Sequence, residues 1–219
     1  MHWYNWPYYA VIDIYLILRN HVLAFLTPHP PQSWSVGDKG DVILLQGHNA
    51  EWVSLKKIGK AIHKKGYRIH FVEKIGSDMK SVPEATKDVE EYIHKNKLEN
   101  IIVIGHSKGG IIAISLLKNK EIAPRITRII NIAGPIKGML ASSLIPSVSD
   151  LVPTSEVISH LEDGINKKKI VNLYPRVDDF VLPNSSLTDD GMINKQIPVI
   201  GHVRIVEDKR TIREIESYL

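Results

Sequence analysis

One serine in this sequence has the surroundings of a nucleophile. Ser107 lies in the pentapeptide Gly105-His106-Ser107-Lys108-Gly109, which has the spacing G-x-S-x-G. The apolar residues 101–104 before it are typical of a strand buried on both faces, and the apolar run 110–117 after it is typical of a helix. A sharp turn between the two requires glycine on either side of Ser107, because side chains there would collide with neighbouring backbone. The pattern predicts a tight turn that exposes the Ser107 hydroxyl.

Candidates for a base and for its partner lie later in the chain. A serine hydroxyl is a weak nucleophile at neutral pH, so a base must take its proton, and imidazole suits because its pKa lies near the working pH. His202 follows a short apolar strand predicted at residues 197–200, and we expect it to be this base. A carboxylate on the far ring nitrogen would fix the tautomer of the imidazole. Two neighbouring carboxylates, Asp178 and Asp179, follow another predicted strand.

The order of the predicted elements indicates how these residues meet. Strands and helices alternate from residue 40 onward, which predicts an α/β fold with a mostly parallel sheet of about six strands and helices on both faces. Ligands of such sheets bind at loops that leave the carboxyl ends of the strands. Because Ser107, Asp178 and His202 all follow predicted strands, we expect them to meet at one edge of the sheet. His48 follows the first strand of this region and is expected at the same edge.

The same loops are expected to supply donors for a negatively charged intermediate. An anionic tetrahedral intermediate needs preorganised hydrogen-bond donors. In a fold of this kind they are the backbone N–H after the nucleophile and one from the first strand-to-helix loop. These positions are Lys108 and His48, whose backbone N–H groups we expect to form an oxyanion hole.

Four segments give the sequence a resemblance to a known family. They are Leu45-Gln46-Gly47-His48, Gly105-His106-Ser107-Lys108-Gly109-Gly110, Asp178-Asp179-Phe180-Val181 and Ile197-Pro198-Val199-Ile200-Gly201-His202. With these segments, residues 41–207 resemble the α/β-hydrolase superfamily, and within it the small lipases and esterases that lack a large lid. The resemblance implies the chain order Ser, Asp, His, which this sequence has. It favours Asp178 over Asp179 as the acid and leaves Asp179 to cap the next turn or to face solvent.

Lys108 and residues 137–166 are expected to shape the substrate pocket above the sheet. Lys108 stands where the family usually has an apolar or Gln-like residue, so we expect a positive charge at the pocket rim. Residues 137–166 are expected to form at most a small cap, with a helix from residue 154 or 155 to 166. Its apolar residues are suited either to an acyl groove or to the core; they are Met139, Leu140, Leu144, Ile145 and Val148.

The resemblance implies a function and leaves alternatives open. It implies a serine hydrolase that cleaves carboxylic esters through an acyl-enzyme, with a catalytic triad of Ser107, Asp178 and His202, and it implies no cofactor or metal. The expected substrate is a small-molecule ester or a lipid. One alternative is a thioesterase or acyltransferase that acts on lipid-linked or protein-linked acyl groups. Another, from a different class, is a catalytically inactive binding module.

Residues 8–26 form the least usual segment of the chain. They are mainly apolar but include Asp13 and Arg19, and an aromatic cluster lies at residues 3–9. Each of the two charges would cost about 2.5–3.5 kcal/mol inside a membrane span, and the flanks do not match a secretory signal. Two interpretations stay open: a helix that packs on its own domain or on a partner chain such as a second copy, or a helix that lies in a membrane interface. We expect residues 1–39 to form an N-terminal apolar helix with a Pro-rich linker, and residues 40–219 to form the α/β-hydrolase domain.

Composition limits the other classes of function. The net charge of +4 arises from scattered lysines, so a nucleic-acid partner is not expected. The chain has no cysteine, which excludes disulfides, a thiol nucleophile and thiolate-bound metal. The histidines outside the motifs are not clustered as zinc ligands are. We expect a cytoplasmic protein, either free or associated with a membrane, and the sequence leaves secretion open.

Overall fold

A parallel sheet forms the centre of the molecule. The computed structural model describes residues 6–72, 75, 80–181 and 191–219. Within these residues six strands form one sheet in the order β2-β1-β3-β4-β5-β6, and every neighbouring pair is parallel. The strands are β1 (Asp41–Leu45), β2 (Arg68–Phe71), β3 (Ile101–His106), β4 (Ile126–Ile132), β5 (Ile170–Val177) and β6 (Ile193–Ile200). The predicted fold class is confirmed.

Helices cover both faces of this sheet. The α-helices of the described residues are α1 (Trp6–Leu26), α2 (Lys56–Lys64), α3 (Val82–Lys95), α4 (Lys108–Ser115), α5 (Glu156–Ser159), α6 (Arg204–Glu207) and α7 (Lys209–Glu216). One apolar core lies between the sheet and α3 with α4, and a second lies between the sheet and α2, α6 and α7. Every residue of β1 and β3 is buried, because both faces of these central strands are covered. Their almost continuous apolar sequences follow from this double burial.

The segment after β4 differs from its prediction. The helix expected up to residue 166 ends at Ser159, and turns follow it, among them one at Gly164, which has a φ of 71°. Glycine adopts that left-handed conformation easily, so it favours a turn over a continued helix. Before α5, two short 3-10 helices span Leu140–Leu144 and Pro146–Leu151. Pro146 begins the second, where its missing backbone N–H removes no helical hydrogen bond.

The N-terminal helix α1 packs against the rest of the molecule with one side. It contacts the 3-10 helix Trp52–Leu55 and α6, and the indole N–H of Trp52 donates to the Thr27 carbonyl at 2.9 Å. The part of α1 that lies against the domain includes Asp13, which is fully buried, and Asn20. Trp3 and Tyr4 of the predicted aromatic cluster lie outside the described residues.

The segment predicted as a Pro-rich linker is fastened to the domain by a tryptophan. A 3-10 helix at Gln32–Ser35 buries Trp34, whose ring lies 5.9 Å from that of Trp52 and stacks at 6.4 Å on Phe71. The indole covers Gly59 of α2 so closely that a Cβ there would lie 2.5 Å from its Cζ3 atom. This contact requires glycine at position 59.

We expect Gly59→Ala to destabilise the fold, because the added methyl group would force Trp34 out of its place. Overpacking of this kind costs about 1–3 kcal/mol in the free energy of unfolding. Urea unfolding followed by tryptophan fluorescence measures the change. Lys60→Ala, an exposed change on the same helix, is the control and should stay within about 0.5 kcal/mol of the wild type. A Gly59→Ala protein as stable as the wild type would contradict the packing described.

Candidate active site

Ser107 stands at the sharp turn between β3 and α4. Its backbone has φ 53° and ψ −125°, a left-handed conformation that is rare for a residue with a side chain. A Cβ at Gly105 would lie 2.2 Å from the Gly109 carbonyl oxygen, and one at Gly109 would lie 2.3 Å from the Leu45 carbonyl oxygen. Neither position accepts another residue, because each meets backbone that cannot move aside. The two glycines of the G-x-S-x-G motif therefore let the chain turn where Ser107 is presented.

His202 and Asp178 are brought together from two loops at the carboxyl end of the sheet. The Nδ1 atom of His202 lies 2.9 Å from Asp178 Oδ2, and both residues are buried. The other carboxylate oxygen of Asp178 accepts the backbone N–H groups of Phe180 at 3.0 Å and Val181 at 2.8 Å. These bonds fix the plane of the carboxylate. Nδ1 of His202 consequently carries a proton, and Nε2 is the atom that can accept one.

Burial and charge oppose each other in this pair. Burial alone would raise the pKa of Asp178, but the nearby His202 and the hydrogen bonds outweigh it and hold the pKa below its usual range. Burial alone would lower the pKa of His202, but the charge and hydrogen bond of Asp178, with smaller contributions from Asp13 and Asp179, raise that pKa above its usual value. Each partner therefore stabilises the charged form of the other.

Asp179 and His106 hold the backbone of His202 from two further sides. Asp179 Oδ1 accepts the backbone N–H of His202 at 2.7 Å. The prediction that Asp179 caps the next turn or faces solvent was wrong, since it binds the histidine loop instead. His106 Nε2 donates to the His202 carbonyl at 3.0 Å, and burial, followed by the nearby His202, lowers the pKa of His106 to about 3. His106 is thus a neutral donor to the loop.

Ser107 and His202 open into the same cavity, of about 310 Å³. Its walls are mainly apolar and come from α1, the loop after β1, the cap segment and the loop after β5. Three of the residues suggested for an acyl groove line it, namely Met139, Ile145 and Val148. The other two, Leu140 and Leu144, are instead exposed on the surface of the cap.

His48 and Lys108 lie at this cavity, but the Lys108 side chain is not at its rim as expected. The residue is only 4% exposed, and its ammonium donates to the carbonyls of Lys80 at 2.5 Å and Ser147 at 2.9 Å. These carbonyls hold the charge inside the protein, and the bond to Ser147 ties the cap segment to the start of α4. His48 Nε2 lies 3.2 Å from the Ser147 hydroxyl, and burial, together with the charge of Lys108, lowers the pKa of His48. The His48 ring is therefore neutral at the cavity.

Sequence reasoning also missed a contact between the histidine loop and α1. The carboxylate of Asp13, on α1, accepts the backbone N–H groups of Val203 at 2.6 Å and Arg204 at 3.1 Å. The signal in the sequence was a lone carboxylate in an apolar helix. Among the described residues, no three His, Asp or Glu side chains are grouped as metal ligands would be.

Comparisons with known proteins bear on the fold of the chain. The PGAP1-like alpha/beta domain family matches residues 69–149. No curated protein sequence matches the chain. Solved structures resemble it across most of its length but with low identity.

Three of these solved structures are named as lipolytic enzymes. The structure reported for LipS and LipT, two metagenome-derived lipolytic enzymes, is 14% identical, covers 84% of this chain and 94% of that one, and has a TM-score of 0.65. Bacillus licheniformis lipase BlEst2 in its mature form is 14% identical with coverages of 87% and 94% and a TM-score of 0.61. Paleococcus ferrophilus monoacylglycerol lipase is 15% identical with coverages of 84% and 93% and a TM-score of 0.59. With the parallel sheet and its strand order, these likenesses show that the chain has the α/β-hydrolase fold, which is the fold that the motifs predicted.

Proposed function

We propose that this protein is a serine hydrolase that cleaves carboxylic esters through an acyl-enzyme. One observation carries the proposal: His202, with its Nδ1 bound to Asp178, lines the same cavity as Ser107 at its turn. This is the arrangement in which an imidazole can take the serine proton while a carboxylate stabilises the resulting imidazolium. The solved lipases and esterases of the same fold support the same class of reaction.

In the proposed reaction Ser107 Oγ attacks the ester carbonyl carbon while His202 Nε2 takes the hydroxyl proton. The carbonyl oxygen becomes an oxyanion, which the backbone N–H groups of His48 and Lys108 bind. The tetrahedral intermediate then loses the alcohol, which receives the proton from His202, and an acyl-Ser107 ester remains. A water molecule attacks this ester while His202 again takes a proton, and collapse releases the acid and free Ser107.

The cavity favours an apolar acyl group. Ile17, Met139, Val148 and Phe180 contribute to its walls, and its volume of about 310 Å³ accepts a chain of several carbons. We therefore propose a lipid-like ester as the substrate. A panel of p-nitrophenyl esters from C2 to C16, with acyl-CoA thioesters beside it, separates ester hydrolysis from the thioesterase and acyltransferase alternatives.

We also propose that the protein meets this substrate at a lipid surface, through α1. Every exposed residue of α1 from residue 8 onward is apolar or aromatic: Tyr8, Val11, Ile14, Tyr15, Leu18, Val22, Phe25 and Leu26. Polar groups lie on the opposite side, where Asp13 and Asn20 face the domain. A helix on the surface of a water-soluble monomer normally exposes its polar side and buries its apolar side, whereas α1 does the opposite.

Contacts of α1 support a helix that lies along a bilayer rather than one that crosses it. The helix is long and apolar enough to span a membrane by length and composition. Crossing would, however, take Asp13 away from Val203 and Arg204, and Arg19 away from Glu207, to which it is ion-paired. Lying flat leaves these bonds intact and buries the apolar side. Because Ile17 and His21 of α1 also line the cavity, this position would bring the bilayer to the cavity mouth.

We expect stoichiometric labelling of Ser107 by a fluorophosphonate probe, since the probe reacts only with an activated serine. Ser107→Ala should remove the label, as read by intact mass and by peptide mapping. Ser115→Ala, on the same helix, is the control and should be labelled like the wild type. A folded wild-type protein that takes no label would overturn the proposal in favour of a binding module.

Activity should fall as the pH is lowered, with a midpoint above the ordinary histidine value of about 6.5. His202 must be neutral to accept the proton, and its pKa is raised chiefly by Asp178 against the effect of burial. Asp178→Asn removes that charge, so the acidic limb of kcat/KM should move to lower pH while kcat falls about 10³–10⁴-fold. Asp163→Asn, an exposed change, is the control. An unchanged pH profile in Asp178→Asn would contradict this role.

Vesicle binding should depend on the exposed side of α1. The wild type is expected to co-sediment with phosphatidylcholine/phosphatidylglycerol vesicles, and Val22→Asp should weaken binding at least tenfold, because a charge would enter the headgroup and acyl boundary. Val36→Asp is the matched control, since Val36 is 70% exposed against 60% for Val22 but lies outside α1. The lipid proposal fails if the wild type does not bind vesicles. If the wild type is then a dimer that Val22→Asp dissociates, the exposed side of α1 binds a second copy of the chain.

A further inference from the structure

We infer that Asp13 is a positioning residue for His202, so that the N-terminal helix is part of the machinery that keeps the histidine in place. The inference rests on the proposed function, in which His202 is the base. Asp13 is 189 residues away from His202 in sequence and belongs to a helix outside the parallel sheet.

The first reason is that Asp13 binds the backbone directly after the histidine. Its two carboxylate oxygens accept one N–H each, Oδ2 from Val203 at 2.6 Å and Oδ1 from Arg204 at 3.1 Å. Asp13 is fully buried, so water does not compete for these donors. Each backbone donor meets its own carboxylate oxygen, and in a neutral amide of the same shape one of these two positions would be an NH₂ group that faces an N–H donor.

The second reason is that residue 201, before the histidine, is shaped to admit this carboxylate. Gly201 has a φ of 117°, and a Cβ there would lie 2.8 Å from Asp13 Oδ1 and 3.0 Å from Oδ2. Both the conformation and the close approach require glycine. The Asp13 carboxylate therefore binds the backbone after His202 and occupies the space beside the residue before it.

The third reason is that α1 holds both ends of α6, the short helix that follows His202. Asp13 binds the backbone where α6 begins, and Arg19 is ion-paired with Glu207 at its last residue. Lys57 of α2 also binds Glu207, at 3.0 Å. The helix α6 has only four residues and is too short to be stable alone, so its place depends on the buried Ile205 and Val206 and on these bonds at its two ends.

Charges around His202 give this contact a measurable consequence. Asp178, Asp179 and Asp13 all raise the pKa of His202, and the neutral His106 faces it from β3. Burial, with Asp179 nearby, raises the pKa of Asp13 to about 7. The side chain of Arg204 turns away from Asp13, with its guanidinium over the ring of Tyr9 at 4.8 Å and one N–H on the Ile200 carbonyl. Above about pH 7 the Asp13 carboxyl is ionised and its negative charge acts on His202 from a distance, so that removal of the carboxylate lowers the pKa of His202.

Two variants of Asp13 test the inference. Asp13→Asn keeps the shape of the side chain but replaces one acceptor by a donor, and Asp13→Ala removes both acceptors. We expect kcat for a p-nitrophenyl ester to fall about tenfold to a hundredfold, since small displacements of a catalytic group have effects of this size. KM should change much less, because Asp13 does not line the cavity. The pKa of His202, followed by NMR titration of its imidazole protons and assigned from their loss in His202→Gln, should be lower in Asp13→Asn.

Leu16→Ala is the matched control, since it removes a buried contact of α1 without touching the histidine loop bonds. It should lower the melting temperature and leave kcat and the pKa of His202 unchanged while the protein is folded. Wild-type kcat and wild-type His202 pKa in folded Asp13→Asn would overturn the inference, as would an equal loss of kcat in Leu16→Ala. Absence of activity and of probe labelling in the wild type would instead refute the proposed function, and the NMR titration would still decide the role of Asp13.

Discussion

Direct contact between backbones at the turn after β3 determines where the other parts of the site can lie. Gly105 and Gly109 let the start of α4 approach β3 and the end of β1 with no side chain between them. The amide of Asn131, on β4, lies below this turn, where a Cβ at Gly110 or Gly134 would lie 1.8 or 2.1 Å from its Oδ1 atom. Asn131 is joined to Asn172 of β5 at 2.8 Å. The position of Ser107 above the sheet is thus fixed by the buried amides of Asn131 and Asn172 beneath the turn and by the close backbone contacts that Gly105 and Gly109 allow.

The histidine loop is held differently, by side chains from several elements. Asp178 binds the ring of His202, Asp179 binds its N–H, His106 binds its carbonyl, and Asp13 binds the next two residues. These bonds connect the loop after the edge strand β6 to β3, to α1 and to the loop after β5. Three carboxylates close to one imidazole are tolerated because the imidazolium form offsets their repulsion, and because the pKa of Asp13 is raised by burial to about 7.

Short sequence patterns were sufficient to predict the main elements of the fold. The strand and helix around Ser107, the parallel sheet and the position of His202 after a glycine all follow from apolar runs and turn residues. The choice of Asp178 over Asp179 needed the family resemblance, because both stand in the same loop. The partners of Lys108, Asp179 and Asp13 were not predictable, because each is distant in sequence and depends on how three or more elements pack. The helix expected up to residue 166 ends already at Ser159, and the left-handed turn at Gly164 shows that residues after it do not continue as a helix.

The helix α1 turns its polar residues Asp13 and Asn20 toward the domain and most of its large apolar residues toward solvent. A buried Asp13 is costly, and it is kept where two backbone donors satisfy it. The outer side of the same helix leaves large apolar side chains in water, which the domain itself does nothing to offset. Covering that side would remove the exposure and leave the inner bonds intact, since no residue serves both sides. Under the proposed function, the lipid-binding side chains and the carboxylate that positions His202 would lie on opposite sides of the same helix. The bonds that set the position of His202 would then also set the position of the bilayer relative to Ser107.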